Sequence, residues 1–240
     1  MARKPSLTGF PEWLPAERVV EQHVLDTLRQ VFQLHGFSNI ETRAVETVGQ
    51  LLRKGEIDKE VYGVSRLQDD AARAKEDPNA LALHFDLTVP FARYVVENAG
   101  YLHFPFRRYQ MQKVWRGERP QDGRFREFTQ ADVDIVGDGT LPFRYDVELA
   151  LVIAEELSAL ELGDFRLRVN NRKLSEGFYL GMGIEDTAAV LRAIDKLEKI
   201  GAAKVSAELQ AGGLSEEQAS KALSLAQITA FDGGFVEQVR

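Results

Sequence analysis

The chain contains no cysteine. This absence excludes disulfide bonds, zinc sites built on thiolates and cysteine nucleophiles. The sequence also lacks an apolar run of about 18 residues, which a membrane-spanning helix requires. Near the amino terminus, Arg3 and Lys4 are followed by polar residues and proline rather than by the apolar core of a signal peptide. We therefore expect a cytoplasmic protein that does not bind a membrane.

Negative charge exceeds positive charge in the chain as a whole, but one segment has the opposite balance. The net charge is −7, which argues against non-specific coating of nucleic acid. Residues 106–126 nevertheless contain seven positive side chains and only two acidic ones, Glu118 and Asp122. The seven are Arg107, Arg108, Lys113, Arg116, Arg119, Arg124 and Arg126. Arginine binds phosphate oxygens through two parallel hydrogen bonds, so the excess predicts a polyphosphate ligand. A solvated edge hairpin whose arginines only prevent edge-to-edge pairing would carry the same charges.

Residues 106–137 have the pattern of two antiparallel strands joined by a charged loop. The alternation is clearest in the second strand, where Gln130, Asp132 and Asp134 share one side and small or β-branched residues share the other. The loop contains the turn signal Asp122-Gly123 and enough arginine to reach over a bound anion. The polar row favours a binding hairpin over one that is merely solvated.

A second set of polar residues stands at the end of a strand predicted from Leu81. Asp86 and Thr88 would lie beside the amino terminus of a helix that has Pro90 in its first turn. A carboxylate and a hydroxyl held there suit an α-ammonium group, although Thr88 could instead serve only as a helix cap. His84 is more typical of a structural histidine than of a ligand. Since no histidine has a partner at metal-ligand spacing, the sequence predicts no metal site formed by the protein itself.

The remaining pattern predicts an α+β fold. We expect one mostly antiparallel sheet that carries the hairpin and the strand ending at Asp86, with helices on one side. Further helices are predicted from Ala16 to about His35 and from Pro142 to Leu162. Further strands are predicted within residues 35–47 and at 165–170. Residues 48–63 are expected to be helical and loop-like, and the charged stretch from Gln68 to Asn79 is expected to be a mobile surface excursion.

From residue 184 onward the composition changes to alanine, leucine, lysine and glutamate with helical spacing. Helices are predicted at 187–200, 204–210 and 215–227, the last with a start signal at Ser215. The sequence therefore predicts two domains, 1–183 and a small helical module at 184–240.

Several features of the hairpin occur in a fixed order: Trp115-Arg116, Glu118-Arg119-Pro120, the loop 123–126, and then Phe128, Gln130 and Asp134. Together they resemble motif 2 of class II aminoacyl-tRNA synthetases, specifically of histidyl-tRNA synthetases. The stretch 86–94, Asp-Leu-Thr-Val-Pro-Phe-Ala-Arg-Tyr, resembles the segment of that family that receives the amino group of histidine. Residues 35–47 occupy the place of motif 1, which builds the homodimer interface, with Ala44 at or near the family's usual proline.

The resemblance implies a class II catalytic fold and the ATP-dependent activation of histidine, followed by its transfer to tRNA(His). ATP and Mg²⁺ would be the cofactors, and the enzyme would be a homodimer. In this sequence the catalytic residue would be Arg116, which would hold the α-phosphate of ATP and the carboxylate of histidine. Glu118 would orient the adenine, while Arg124 and Arg126 would meet the outer phosphates.

The histidine site implied by the resemblance shares Arg116 with the ATP site. Asp86, Thr88 and Gln130 would receive the α-ammonium group. Asp134 would accept a hydrogen bond from the imidazole, which distinguishes histidine from isosteres that lack this donor. The module at 184–240 corresponds to a family insertion that approaches the acceptor end of the tRNA, although a helical subdomain without contacts of its own would have the same pattern.

The resemblance covers nearly all of the chain but only about the first half of such an enzyme. The family's second histidine-binding segment, its motif 3 and its anticodon-binding domain have no counterpart in these residues, so we expect a fragment. One alternative is the related regulatory subunit of ATP phosphoribosyltransferase. The combination of Arg116, Glu118, Arg124, Gln130 and Asp134 with the insertion favours the synthetase over it. Another alternative is a non-catalytic nucleotide- or RNA-binding module made by truncation.

Overall fold

The computed structural model describes residues 7–54, 60–68, 77, 79–230 and 233–239. The chain forms two compact units, Met1–Arg166 and Leu167–Arg240. Most of the surface excursion predicted from Gln68 to Asn79 lies outside the described residues, as does part of the region predicted at 48–63. Among the described helices, none has the length and apolar composition needed to cross a membrane.

The described residues of the first unit form two three-stranded sheets. The first sheet has the order β1 (Ser38–Asn39), β5 (Phe106–Trp115), β6 (Glu127–Val136), and the second has the order β2 (Val45–Thr47), β4 (Leu81–Leu83), β3 (Gly63–Val64). Only β1 and β5 pair in parallel, and the other described pairs are antiparallel. The predicted hairpin is confirmed as β5 and β6, and the sheets are mostly antiparallel as expected.

In the described part of the first unit, these sheets are accompanied by the helices α1 (Pro15–Leu34), α2 (Val48–Leu51), α3 (Thr88–Asn98) and α4 (Arg144–Ala159). Short 3-10 helices follow α2 at Leu52–Lys54 and α3 at Ala99–Tyr101. The predicted helices near 16–35 and 142–162 are thus confirmed. The first of them ends before Gly36, whose φ of 73° is a conformation that glycine adopts without strain.

The core of the first unit lies between the hairpin and two helices. Phe32 of α1 is fully buried and stacks on Tyr109 of β5, with ring centroids 5.3 Å apart. Ile135 of β6 and Val152 of α4 belong to the same buried cluster. Side chains alternate along a strand, so the residues directly before and after each core residue point to the opposite face. Arg108, next to the core residue Tyr109, is one of them. One face of the hairpin is therefore core, and the other is available for a site.

The expectation of a single sheet was wrong. The strand before Asp86 ends at Leu83 and lies in the second sheet. After Leu83 the chain bends, and the carbonyl of His84 accepts a hydrogen bond from the backbone of Trp115 at 3.1 Å. This contact brings the segment to the end of the hairpin without making it a strand of the same sheet.

Two other strand predictions need correction. The strand expected within 35–47 is divided into β1 and β2, which pair with different partners. Residues 165–170 form no strand, and all six are exposed. Alternating apolar residues provide one face of a strand, but a strand also needs a hydrogen-bonding neighbour. None of the described strands pairs with 165–170.

The second unit is helical, with α5 (Arg172–Gly181), α6 (Thr187–Ile194), α7 (Leu197–Ile200), α8 (Ala202–Ala211), α9 (Glu216–Gln227) and α10 (Phe235–Val239). Helix α9 begins with the predicted signal, since Ser215 and Gln218 exchange hydrogen bonds in a capping box. The core includes Tyr179 of α5 together with Val190 and Val205. Helix α5 thus packs within this unit, and the domain division at 183/184 stays a prediction.

Candidate functional site

The face of the hairpin opposite the core is lined by polar side chains. Antiparallel pairing places three residues of β5 directly across from three of β6: Arg108 opposite Asp134, Gln110 opposite Asp132 and Gln112 opposite Gln130. Directly opposed residues share a face, so the six side chains form one polar surface. The predicted polar row of β6 is therefore only half of the arrangement.

Arg116 lies at the open end of this surface, just after β5. Its Nε donates to the carbonyl of Phe85 at 3.0 Å, and its Nη2 donates to Oε1 of Gln130 at 3.2 Å. The guanidinium also lies over the ring of Phe128, with 5.1 Å between its central carbon and the ring centroid. These contacts bring together the predicted residues Arg116 and Gln130 and the segment that precedes Asp86.

Gln130 connects Arg116 to the acidic end of the surface. Its Nε2 donates to both carboxylate oxygens of Asp132, at 2.9 and 3.0 Å. Asp132 in turn lies 3.9 Å from Nη2 of Arg108, which also forms an ion pair with Asp134. A continuous polar network therefore runs from Arg116 to Asp134.

Arg108 is the fully buried cation of this network. Its Nη2 is within ion-pair distance of Asp134, but the N–H group is not aligned for a hydrogen bond, so the attraction is mainly Coulombic. Burial raises the pKa of Asp134 above its usual range, Arg108 opposes that rise, and Asp132 adds to it. Burial also lowers the pKa of the Arg108 guanidinium, against the pull of the acids.

Asp86 lies between the second sheet and α3, and Thr88 is at the start of α3. Asp86 is buried, and its Oδ1 accepts a hydrogen bond from the backbone N–H of Val89 at 3.3 Å. The carboxylate of Asp86 also attracts the charge of Arg108. Thr88 is the first residue of α3 and is exposed. The side-chain acceptor at this helix start is thus Asp86 and not Thr88, which weakens the interpretation of Thr88 as a cap.

The loop between the strands has the predicted turn, with Gly123 at a φ of 72°. Arg124 is largely exposed and lies 3.6 Å from the carboxylate of Glu118. Arg126 is tied down, because its Nε donates to the carbonyl of Glu118 at 3.2 Å and its backbone N–H donates to Gly9 at 2.7 Å. Of Arg124 and Arg126, Arg124 is therefore the one that is free to move toward a ligand.

Sequence reasoning did not assign four of the six residues of the polar surface: Arg108, Gln110, Gln112 and Asp132. Gln110 is fully buried, and its Nε2 donates to the hydroxyl of Thr42 at 3.0 Å. The available signal was that Asp132 stands in the same row as Gln130 and Asp134. For Arg108 and Gln110, the signal was their position one residue away from the apolar Tyr109.

His84 has the structural role that the sequence indicated. It is fully buried, its Nε2 donates to the carbonyl of Lys113 at 2.8 Å, and its ring stacks on Trp115 with centroids 5.6 Å apart. Burial lowers the pKa of His84, which favours the neutral imidazole. The residue fastens the segment before Asp86 to the end of β5.

Chemically, the surface offers a cation at one end, a neutral amide in the middle and a carboxylate at the other end. Arg116 and the loop arginines suit anionic oxygens. The acids Asp86, Asp132 and Asp134 suit N–H donors with positive or partly positive charge. A small zwitterion bound beside a polyphosphate would match this distribution.

Comparisons with known proteins identify the family to which the chain is similar. The sequence matches the family model of histidyl-tRNA synthetase over residues 9–237. A histidine–tRNA ligase of Micrococcus luteus is 70% identical over 100% of this chain and 54% of its own length. One from Bifidobacterium animalis subsp. lactis is 59% identical over 97% of this chain and 51% of its own length. The chain therefore spans about half the length of the curated relatives it matches.

Solved structures agree with the sequence matches. The crystal structure of histidyl-tRNA synthetase from Nostoc sp. PCC 7120 has a TM-score of 0.85 at 37% identity, and the match covers 99% of this chain and 52% of that one. An ATP phosphoribosyltransferase regulatory subunit/histidyl-tRNA synthetase from Bacillus halodurans has a TM-score of 0.78 and covers 100% of this chain and 59% of that one. Its 21% identity shows a shared fold alone. The expected class II synthetase fold is confirmed, and, since the family model covers nearly the whole sequence, the chain belongs to the histidyl-tRNA synthetase family.

Proposed function

We propose that the full-length protein containing this chain is a histidine–tRNA ligase, which activates histidine with ATP and transfers it to tRNA(His). The names of the relatives support this proposal. The structural observation that carries it is the position of Arg116, held by Phe85 and Gln130 at the end of the polar surface. This position puts a cation next to the segments proposed to bind the amino acid.

Activation joins two anions: a carboxylate oxygen of histidine bonds to the α-phosphorus of ATP, the bond from that phosphorus to the bridging oxygen breaks, and pyrophosphate leaves. Charge neutralisation and alignment therefore provide most of the catalysis, and no general base is required. The guanidinium of Arg116 has five N–H groups. Two of them are used by Phe85 and Gln130, which fix its orientation. We propose that its other N–H groups bind the α-phosphate and the carboxylate and hold them in line.

The proposed histidine site extends along β6 from Gln130. Asp86, Thr88 and Gln130 would receive the α-ammonium group, and Asp134 would accept a hydrogen bond from the imidazole. Gln130 and Asp134 are four residues apart in β6, which corresponds to about 13 Å along the strand. Side chains that lean toward each other across this separation match the two ends of one amino acid.

The proposed ATP site uses Arg116 together with the loop. Glu118 would orient the adenine, and Arg124 and Arg126 would meet the outer phosphates. Since Arg124 is paired with Glu118 only at 3.6 Å in an exposed position, it can exchange that partner for a phosphate at small cost. The binding of Arg126 to Glu118 and Gly9 gives the loop a fixed base.

Mg²⁺ is proposed as a companion of ATP rather than as an ion held by this chain. Among the described residues, no group of three or more histidine, aspartate or glutamate side chains is placed to hold a metal ion. These residues thus do not fit a Mg²⁺ site formed by the protein alone. The steps proposed for Arg116 and Asp134 do not depend on one.

The wider setting is also a proposal. The family resemblance supports a homodimer that uses residues 35–47, a catalytic core at 1–183 and a tRNA-facing module at 184–240. The proposed cytoplasmic location rests on the sequence composition. Binding of the module to the acceptor end can be tested by removing residues 184–227 from the full-length protein. We expect aminoacylation to be lost while histidine-dependent exchange persists.

The proposed activity is tested by ATP–pyrophosphate exchange with the purified full-length protein. We expect exchange with histidine and none with glutamine or asparagine, which are similar in size but lack the imidazole. Charging of tRNA(His) should follow when tRNA is added. A folded protein that supports no histidine-dependent exchange would contradict the proposal and favour a binding or regulatory role.

A further inference from the structure

The buried guanidinium of Arg108 has no role in the function proposed above. Its side chain is 0% exposed near the start of β5. Arginine is almost never fully buried unless it is paired, because removing its charge from water is costly. The residues that compensate the cost of burying this charge therefore indicate the role of Arg108.

The compensating groups come from three elements, β6, α3 and β5 itself. Asp134 and Asp132 of β6 face the Arg108 guanidinium, the first as an ion pair and the second at 3.9 Å. Phe91 of α3 covers it, with 4.1 Å between the guanidinium carbon and the ring centroid. Gln110 accepts a hydrogen bond from its Nη1 at 3.3 Å. The guanidinium is thus clamped in one place, directly beside the two carboxylates.

Asp134 differs from Arg108 because it remains accessible. Its side chain is 35% exposed, so a ligand can reach the carboxylate while Arg108 contacts it from the buried side. Its charged neighbours are Arg108 on β5, Asp132 on β6 and Glu156 of α4, which lines the same groove. Arg108 is the single cation in this group. Burial and Asp132 raise the pKa of Asp134, and Arg108 opposes both effects.

We infer that Arg108 is a positioning residue for histidine recognition: it holds the Asp134 carboxylate ionised and oriented so that it accepts a hydrogen bond from the imidazole. This inference rests on the proposed function, and it deepens that function by naming the residue that makes Asp134 selective. Arg108 itself does not touch the substrate. Its effect reaches histidine only through Asp134.

The test uses Arg108→Met in the full-length protein, with Arg107→Met as the matched control. Arg107 directly precedes Arg108 in β5, points to the opposite face of the hairpin and is paired with Glu148. For Arg108→Met we expect the KM for histidine in pyrophosphate exchange to rise by about tenfold or more, the size of losing one charge-assisted contact. The KM for ATP should stay unchanged, and Arg107→Met should leave both constants unchanged.

A double variant shows whether the effect passes through Asp134. In an Asp134→Asn background, Arg108→Met should raise the KM for histidine no further, because the acceptor has already been weakened. If Arg108→Met does not fold, Arg108→Lys replaces it. A lysine keeps the charge but loses the hydrogen bond from Nη1 to Gln110 and the flat guanidinium contact with Phe91 that hold the cation in place, so its KM for histidine should also rise while that for ATP does not.

Three results would overturn the inference: an unchanged KM for histidine in the Arg108 variant that folds, a parallel rise in both constants, or the same rise in Arg107→Met. Additive effects in the double variant would equally show that Arg108 acts independently of Asp134. Failure of the proposed function would look different, since the wild-type protein would then show no histidine-dependent exchange at all.

Discussion

Arg116 and Gln130 meet at the open end of the hairpin, where Nη2 of the arginine donates to Oε1 of the glutamine at 3.2 Å. The Nε2 of the same glutamine donates to both carboxylate oxygens of Asp132. Its amide is therefore fixed in orientation, with the oxygen toward the proposed phosphate site and the nitrogen toward the acids. The two halves of the proposed reaction centre are coupled through one side chain.

Asp134→Asn should weaken histidine binding selectively. The substitution keeps the size of the side chain but removes the charge that strengthens its acceptor role, and we expect a loss of about 1 to 3 kcal/mol in histidine affinity. The KM for ATP should change little. Measuring both constants in pyrophosphate exchange decides the point: equal rises would mean that Asp134 supports the scaffold, and no rise would remove it from the site.

Gly9→Ala should disturb the loop between β5 and β6, which belongs to the proposed ATP site, although Gly9 lies far from this loop in the sequence. Gly9 has a φ of 87°, and an added Cβ would come within 2.9 Å of Pro120 and of Arg126. A non-glycine residue in this conformation costs about 1 to 3 kcal/mol, and the contact would displace Arg126. We expect a higher KM for ATP and an unchanged KM for histidine.

Gly100→Ala is the control for that variant, because nothing lies within 4 Å of its added Cβ and its φ is not positive. It should leave the KM for ATP unaltered. An unchanged KM for ATP in Gly9→Ala would show that Arg126 does not bind the outer phosphates.

Glu156→Gln should change how stability depends on pH. Burial raises the pKa of Glu156 from 4.5 to about 7, and Oε1 has no hydrogen-bond partner among the described residues. The unfolded state releases this proton at lower pH than the folded state, so wild-type stability is full below about pH 4.5 and falls until about pH 7. Glutamine cannot ionise and avoids that loss.

The variant should therefore melt at a higher temperature than the wild type at pH 8.5 and at a similar temperature at pH 4.5. Because the side chain is only partly buried, solvent screening should limit the gain to a few degrees. Glu155→Gln, at an exposed neighbour that pairs with His35, is the control and should show no gain at pH 8.5. Equal melting temperatures for wild type and Glu156→Gln at pH 8.5 would disprove the raised pKa.

The hairpin and most of the helices could be predicted because their signals are local. Alternation from Phe106 to Val136, the turn at Gly123 and the stop at Gly36 each lie within a few residues of what they determine. The polar row of Gln130, Asp132 and Asp134 was visible for the same reason. Local periodicity also places those side chains on one face without any knowledge of the rest of the fold.

The failures concern partners that are distant in the sequence. Residues 165–170 alternate as a strand does, yet a strand forms only where another is free to pair with it. The burial of Arg108 depends on its register opposite Asp134 and on Phe91 from α3. Neither relationship is encoded in the residues next to Arg108. Sequence reasoning could therefore count this arginine among the positive charges but could not place it inside the network.

The most direct measurement for the whole account is histidine-dependent ATP–pyrophosphate exchange by Arg116→Ala in the full-length protein. Removing a group that stabilises developing charge costs about 100-fold or more in rate, and we expect at least that loss. The melting temperature should stay close to that of the wild type, and Arg144→Ala, at an exposed arginine of α4, should retain full exchange. Wild-type exchange by a folded Arg116→Ala protein, or unfolding as its main defect, would contradict the proposal that this hairpin holds the reacting groups.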